Sequence, residues 1–363
     1  MSSSDSSALL DRIQQTVLGL PRPVQTAAAS AVAAALVLFV MDRFTRFRGT
    51  IKAMHLFERY GFTFKEIPDL SGKTFVVTGA NSGLGFGTAF ELASHGATVI
   101  MACRSRQRAE EAKRKMGAVK GELIVMDLDN ASLVSVKKFA RDFKALNRPL
   151  DGLILNAGIM FPPFELTTDG IESQFGVNHI AHFALANELL DVMAKPYSTI
   201  VSVSSLAHWF TVKNGVNLDL SVINDPKKYN PYAYYGQSKL ANLLFTRELA
   251  RRLGPNSHIY VNAVHPGGVQ GELNRYMHGG NPILKAIDTA AQAISYWDCK
   301  EASLTVLCPA VSPRIRQENI RGQYFVPIGR LDQGSKVGRD QDLARRLWEF
   351  SERVLQEKGW DKM

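Results

Sequence analysis

Tyr235 and Lys239 stand four residues apart in Tyr235-Gly-Gln-Ser-Lys239, opening a helix-favouring run that reaches Arg252. Positions i and i+4 share a helix face, so the phenol and the ammonium are expected to point the same way. A phenol titrates near about 10 in water. A neighbouring cation favours phenolate and brings the group toward the working range of a general acid/base. Upstream, the apolar run Thr199–Val203 ends in Ser204 and Ser205, and a serine hydroxyl there can bond a substrate oxygen where charge develops. Tyr296 and Lys300 repeat the same spacing, so spacing alone does not choose. Order does. Tyr235 follows a strand ending in serine and precedes the strand-like Ile259–Val264, which runs into His265-Pro266-Gly267. Tyr296 lies beyond that strand and reads as a substrate-wall or core residue.

A second set of residues suits a phosphate-bearing ligand. Thr78-Gly79-Ala80-Asn81-Ser82-Gly83-Leu84-Gly85 falls between a β-rich run and a helical one. Glycines there let the backbone turn tightly and approach a pyrophosphate lying on the helix N-terminus. Where the next strand ends, an NAD-binding chain usually carries an acid for the ribose 2′-hydroxyl. Here Cys103 and Arg104 stand instead. A guanidinium suits a 2′-phosphate, so Arg104 argues for NADP(H), the alternative being a solvated loop charge. Asp127 and Leu128 end a further strand, where the Asp can receive an adenine amino group. Asn156-Ala157-Gly158 closes Leu150–Leu155; its small residues keep the crevice open, and Asn156 can bond backbone across a sheet.

The elements that must hold these groups alternate. Strand-like Lys73–Thr78, Ala97–Ala102, Glu122–Met126, Leu150–Leu155 and Thr199–Val203 are interleaved with helical Gly83–His95, Arg106–Met116 and Ser132–Leu146. Short apolar strands between helices predict an α/β fold, a single Rossmann-type doubly wound parallel sheet covered on both faces. Ligands bind such sheets beyond the carboxyl ends of the strands.

The N-terminus is of another character. Residues 1–23 are polar and Ser-rich, while Val24–Met41 is uncharged and apolar, at the short end of a spanning helix. Arg43, Arg46, Arg48 and Lys52 follow it, which predicts an N-terminal membrane-anchor helix with the C-terminal side in the cytosol. The expected organisation is a polar segment at 1–23, an anchor at 24–41, a basic linker at 42–69, the catalytic domain at 70–335 and a helical tail at 336–363. In that tail, Leu343, Leu347, Phe350 and Val354 form one apolar face. Net charge is +9, but Lys and Arg are scattered and no nucleic-acid-binding signature is present, so nucleic acid is not an expected partner. Three unpaired-looking cysteines, Cys103, Cys299 and Cys308, make no disulfide framework and suit a reducing compartment.

With these residues assembled, the chain from about Leu70 to Ile328 resembles the short-chain dehydrogenase/reductase family. The resemblance is carried by the Thr78–Gly85 loop, Asn156–Gly158, Asn178, Ser205, and Tyr235 with Lys239, in that order. Within the family it is similar to the retinol dehydrogenase-like group, through the run Tyr235–Arg252, Val264-His-Pro-Gly-Gly-Val269 and Phe175-Gly-Val-Asn-His179. Leu155 departs from the family, which commonly has a second Asn there.

The resemblance implies a proton exchanged between Tyr235 and the substrate oxygen. Lys239 would lower the phenol pKa and hold the nicotinamide ribose, Ser205 would orient the carbonyl, with Ser204 as the alternative, and Asn178 would hold a water leading to Lys239. NADP(H) would lie on Gly79, Asn81, Ser82, Gly83, Leu84, Gly85, Arg104, Asp127, Leu128, Asn156, Ala157, Gly158, Pro266, Gly267 and Val269, besides Tyr235 and Lys239. His265, His179 and His182 are expected to be structural.

The segment after Gly267, with Leu273, Tyr276, Met277, Ile283 and Trp297, is apolar, and the insertion His208–Lys228 adds Trp209 and Phe210. An apolar lid beside an anchor suggests a substrate that partitions into lipid. The expected reaction interconverts a lipophilic alcohol and its aldehyde or ketone at a membrane, the endoplasmic reticulum foremost, with a homodimer left open. A sterol- or protochlorophyllide-type reductase and a non-catalytic NADP(H)-binding scaffold are the alternatives.

Overall fold

The computed structural model describes residues 61–269, 273 and 297–360. The predicted anchor at 24–41 lies outside them, as does most of the apolar segment after Val269. Among the described residues no helix is long and apolar enough to cross a membrane.

The strands are β1 (Thr74–Thr78), β2 (Thr98–Cys103), β3 (Glu122–Asp127), β4 (Gly152–Leu155), β5 (Ser198–Val203), β6 (Ile259–Val264), β7 (Tyr324–Val326) and β8 (Arg330–Asp332). They form one eight-stranded sheet in the order β3-β2-β1-β4-β5-β6-β7-β8. All pairs are parallel except the last, where β8 returns antiparallel along β7. Strand order reverses between β1 and β4, and in such sheets the crevice above that point is where ligands bind. The doubly wound expectation holds; the antiparallel edge strand is an addition to it.

The longer helices are α1 (Gly83–Ser94), α2 (Arg106–Met116), α3 (Leu133–Lys144), α4 (Ala181–Leu189), α5 (Pro231–Leu253), α6 (Cys299–Val311) and α7 (Gln341–Glu357). Side chains along a strand alternate in direction, and here both directions are apolar. Val76 and Leu153 face a core shared with α3, α4, α5 and α7, whereas Val77 and Ile154 face one shared with α1, α2 and α6. A Cβ at Gly87 would collide with the carbonyl of Cys299, so α6 lies on α1 at close backbone range.

Two segments expected outside the catalytic domain pack into its core. Phe62 and Ile67, from the expected linker, are buried with Leu70 in the α1-side core, and Phe62 N–H donates to Ile328 O at 3.2 Å. Likewise α7 is no appended tail. Its expected apolar face, Leu343, Leu347, Phe350 and Val354, is buried, and Trp348 packs edge-on against Phe183 at 4.8 Å.

Candidate active site

The glycine loop is shaped by steric need at each glycine. Gly79 (φ +68°) and Gly83 (φ +55°) adopt left-handed backbone, which glycine alone takes without penalty. A Cβ at Gly85 would collide with the carbonyl of Gly79, so the third glycine lets α1 start hard against the turn. Ser82 leads α1 without a side-chain cap, and the first turn carries no acid. Uncapped N–H groups and the helix dipole suit a phosphate, so the donor set fits a dinucleotide.

Cys103 supports this loop from below. Its sulfur lies near the Ala80 and Asn81 backbone, which favours the thiolate, but burial outweighs this and pushes the thiol up to about 11. Arg104, the next residue, is exposed at the end of β2. Asp127 forms a half-exposed ion pair with Arg106 at 3.1 Å, so its carboxylate already has a cationic partner. Leu128 turns its side chain into the core and offers a ligand only backbone; its own N–H donates to Cys103 O at 3.0 Å.

Asn156 bonds across the sheet as expected, its amide donating to Thr78 O at 2.7 Å. The hub of this junction is Thr78, which the sequence did not single out beyond its place in the loop. Its hydroxyl accepts the N–H groups of Asn156 and Ala157, each at 2.9 Å, and lies 3.1 Å from His182 Nε2. His182 Nδ1 lies 3.1 Å from Asn178 O. That carbonyl can only accept, which assigns the ring proton to Nδ1 and makes Nε2 the acceptor of the Thr78 hydroxyl proton. Burial, and then the charge of Lys239, push His182 down to about 3, in keeping with a neutral ring. His182 thus ties the glycine-loop junction to Asn178.

Asn178 lies in a π-helical turn, Gly176–Ile180, just before α4. Its amide holds Ile159 on both sides, accepting the N–H at 2.9 Å and donating to the carbonyl at 3.0 Å, and donates to Ser238 Oγ at 2.9 Å. Gly158 passes through the gap beside it. A Cβ there would stand 3.1 Å from Asn178 Oδ1 and 3.5 Å from Lys239 Nζ.

Helix α5 begins four residues earlier than the sequence suggests, because Asn230 caps it, accepting from Tyr232 and Ala233 N–H, and Pro231 fits its first turn. Tyr235 and Lys239 therefore sit within a formed helix, both buried. Lys239 Nζ donates to Val203 O at 3.0 Å and lies 5.6 Å from the centre of the Tyr235 ring. Ser205 lies close enough to the Tyr235 hydroxyl to hold its pKa down against burial. Ser204 does not compete for that place: its hydroxyl is buried and donates to Lys239 O at 2.7 Å.

The electrostatics correct one expectation. Burial pushes Tyr235 up to about 12, against the Ser205 hydrogen bond, and pushes Lys239 down to about 8. Desolvation dominates for both groups, and the ammonium is bonded to Val203 O rather than to the phenol oxygen. Tyr235 is thereby held neutral, while Lys239 at about 8 still carries its proton at neutral pH.

Ser205 is in turn held from behind. His208 Nδ1 lies 2.7 Å from Ser205 O, and His208 Nε2 accepts the N–H of Ser335 at 2.9 Å, from the segment leading to α7. After β6, Pro266 is buried, and Gly267 (φ +86°) passes under Trp297, whose indole would lie 2.9 Å from a Cβ there. Val269 bridges Trp297 in parallel register. These residues flank the same C-terminal edge of the sheet. Of the rival pair, Tyr296 lies outside the described residues, and Lys300 contacts Glu91 of α1 at 3.5 Å.

A glycine loop at the switch point and a Ser-Tyr-Lys cluster on the neighbouring strand and helix define a dinucleotide-dependent oxidoreductase architecture. A sequence profile described as short chain dehydrogenase matches residues 73–280. Retinol dehydrogenase 14 of Homo sapiens is 41% identical over 300 residues, covering 78% of this chain and 86% of the human protein. The Brassica napus short-chain dehydrogenase TIC 32 A, chloroplastic, is 37% identical over 298 residues, covering 79% and 90%. Among solved structures, an uncharacterised protein from Mycobacterium paratuberculosis superposes with a TM-score of 0.64 at 36% identity, covering 82% of this chain and 98% of its own. A Burkholderia cenocepacia short chain dehydrogenase in complex with NADP gives 0.54 at 28% identity, covering 71% and 97%. The chain belongs to the short-chain dehydrogenase family of oxidoreductases, in its retinol dehydrogenase-like group.

Proposed function

We propose that the protein is an NADP(H)-dependent oxidoreductase interconverting a lipophilic alcohol and its aldehyde or ketone at a membrane. The observation that carries the reading is the meeting of Ser205, Tyr235 and Lys239 in a buried pocket beside the glycine loop. A nicotinamide dinucleotide held along Gly79–Gly85 would supply or accept the hydride. In the reducing direction, Ser205 hydrogen-bonds the carbonyl oxygen and Tyr235 gives it a proton, leaving a phenolate. Lys239 balances that charge in a desolvated site, where electrostatic interactions are strengthened. A phenol held neutral by burial is a proton donor at neutral pH, which suits reduction. Asn178 fixes the Ile159 backbone, and the missing Cβ of Gly158 leaves room beside Lys239 Nζ.

Exposed Arg104 and the lack of an acid at Cys103 support NADP(H) over NAD(H). Lipophilicity is supported by exposed Trp209 and Phe210, the carbonyl of Phe210 lying against Gly236 beside Tyr235. The membrane is supported by the apolar run 24–41 with its following arginines, the endoplasmic reticulum being the expected site. The test is NADPH consumption by the full chain in membranes, against retinal, long-chain aldehydes and ketosteroids. Turnover of one class is expected, lost about a thousandfold or more in Tyr235→Phe with NADPH binding kept. NADPH binding without turnover on any class would overturn the proposal.

A further inference from the structure

His208 is wholly buried three residues after Ser205, in the short turn Leu206–Trp209 that Ser205 opens. A buried imidazole must pair both nitrogens or forfeit the bonds it had with water. Nδ1 lies 2.7 Å from Ser205 O, which can only accept, so Nδ1 carries the proton. Nε2 accepts the Ser335 N–H at 2.9 Å, so it carries none. The ring is therefore neutral and of one tautomer, clamped between the serine backbone and the segment that leads to α7. That segment is itself pinned to α5. Arg247 donates to Gln333 O at 2.8 Å and to Gly338 O, and Ser335 Oγ accepts the Gly338 N–H at 3.0 Å. Gly334, in left-handed backbone at φ +66°, brings the chain so close that a Cβ there would stand 3.3 Å from His208 Nε2.

The turn that His208 secures governs the serine hydroxyl. Ser205 Oγ accepts the Ala207 N–H at 3.1 Å, which occupies a lone pair and directs the hydroxyl proton away from the turn. Ser205 also lowers the Tyr235 pKa, as a donor to the phenol oxygen does. The same turn presses on α5, where a Cβ at Gly236 would collide with the carbonyls of Ala207 and Phe210. Any shift of the turn would thus move Ser205 relative to Tyr235, the residue beside Gly236.

We infer that His208 is the positioning residue of Ser205: its neutral ring holds the serine hydroxyl as a donor toward the reacting oxygen, with Ser335 as the fixed point behind it. This role rests on the proposed carbonyl chemistry at Ser205 and Tyr235. Acid should undo it. A second ring proton would sit on Nε2, where the Ser335 N–H already points, and two donors would face each other. The groups facing the ring are Tyr324 of β7, whose hydroxyl lies 3.4 Å from Nδ1, Asp332 of β8 and Arg247 of α5. Burial holds His208 below the ordinary histidine value of 6.5, against the Ser205 bond; Arg247 adds to the fall and Asp332 opposes it. The clamp is therefore closed at neutral pH and opens on acidification.

The test is reduction of retinal and of nonanal by the full chain in membranes, with saturating NADPH, from about pH 5 to 8. His208→Leu, which offers neither donor nor acceptor, is expected to lower kcat about tenfold to a hundredfold and to leave the Kd for NADPH within about twofold. His208→Gln, which offers both and does not titrate, is expected to recover most of that loss and to abolish the fall in kcat on the acid side. In a Ser205→Ala protein, His208→Leu is expected to cost nothing further, since the serine it positions is gone. An undiminished kcat in His208→Leu, a further tenfold loss (about that or more) in the Ser205→Ala background, or an acid limb kept in His208→Gln would overturn the inference. Should His208→Leu not fold, the His208→Gln profile decides alone. Amide hydrogen exchange separates the brace from the reaction. His208→Leu, but not His208→Gln, is expected to speed exchange at Ala207 and Ser335 about tenfold. Unchanged exchange would overturn the brace. Faster exchange in a protein that turns over no carbonyl would overturn the proposed reaction and leave the brace standing.

Discussion

Arg104 and Cys103 divide a task that their neighbourhood in sequence made legible only in part. Cys103 turns inward under the glycine loop, which leaves Arg104 as the exposed cation at the end of β2. Replacing Arg104 by Ala is expected to weaken NADPH about tenfold or more and to leave NADH nearly unchanged, in a fluorescence titration of both cofactors. A similar loss for both would return Arg104 to the status of a solvated charge. Tyr235 with Lys239 was legible because helical spacing and chain order are local properties. The choice between Ser204 and Ser205 was not, since it turns on a hydrogen bond from Ser204 to the Lys239 carbonyl, made across the fold. Thr78 and His182 were invisible as a pair for the same reason: their partners come from distant strands and helices. The expected depression of Tyr235 failed because a sequence does not reveal how thoroughly water is excluded.

At the scale of elements, the helices following β4 carry buried polar groups whose protonation matters for stability. Burial pushes His179 and His182 down to about 3, whereas burial pushes Glu172 up to about 7. For the histidines the contribution is present above about 6.5 and lost as pH falls toward about 3. For Glu172 the contribution is fully present below its unfolded value, near 4.5, and lost as pH rises through about 7. Two groups oppose one, each worth up to about 1.4 kcal/mol per pH unit, so the melting temperature should fall on acidification from pH 6.5 to 4.5. His182→Gln should make the slope shallower; a slope unchanged from wild type would count against this account. Helix α7 supplies a second check. Leu347 is buried in the core that α7 shares with α5, and Leu347→Ala should cost about 2–5 kcal/mol in denaturant unfolding. A cost near zero would mean that α7 packs elsewhere. The amphipathic face of this helix was plain in the sequence, but its docking against Phe183 and Phe245 required tertiary structure.

The sheet as a whole was legible because runs such as Thr74–Thr78 and Ile259–Val264 are apolar on both faces and bracketed by helical periodicity. The domain's limits were less so. Short contributions such as Phe62 and the β7–β8 edge have too little periodicity to announce themselves. A chain cut to residues 61–360 should therefore fold and bind NADPH, while one cut to 70–335 should lose cooperative unfolding; equal behaviour of the two would refute the wider limits. The link from Ser205 through His208 to Ser335 joins the pocket to a segment near the end of the chain. During synthesis the glycine loop and α1 emerge long before the serine's anchor. A polypeptide stopped before Ser335 would have the glycine loop and lack the brace behind Ser205, so the two halves of the pocket would mature at different times.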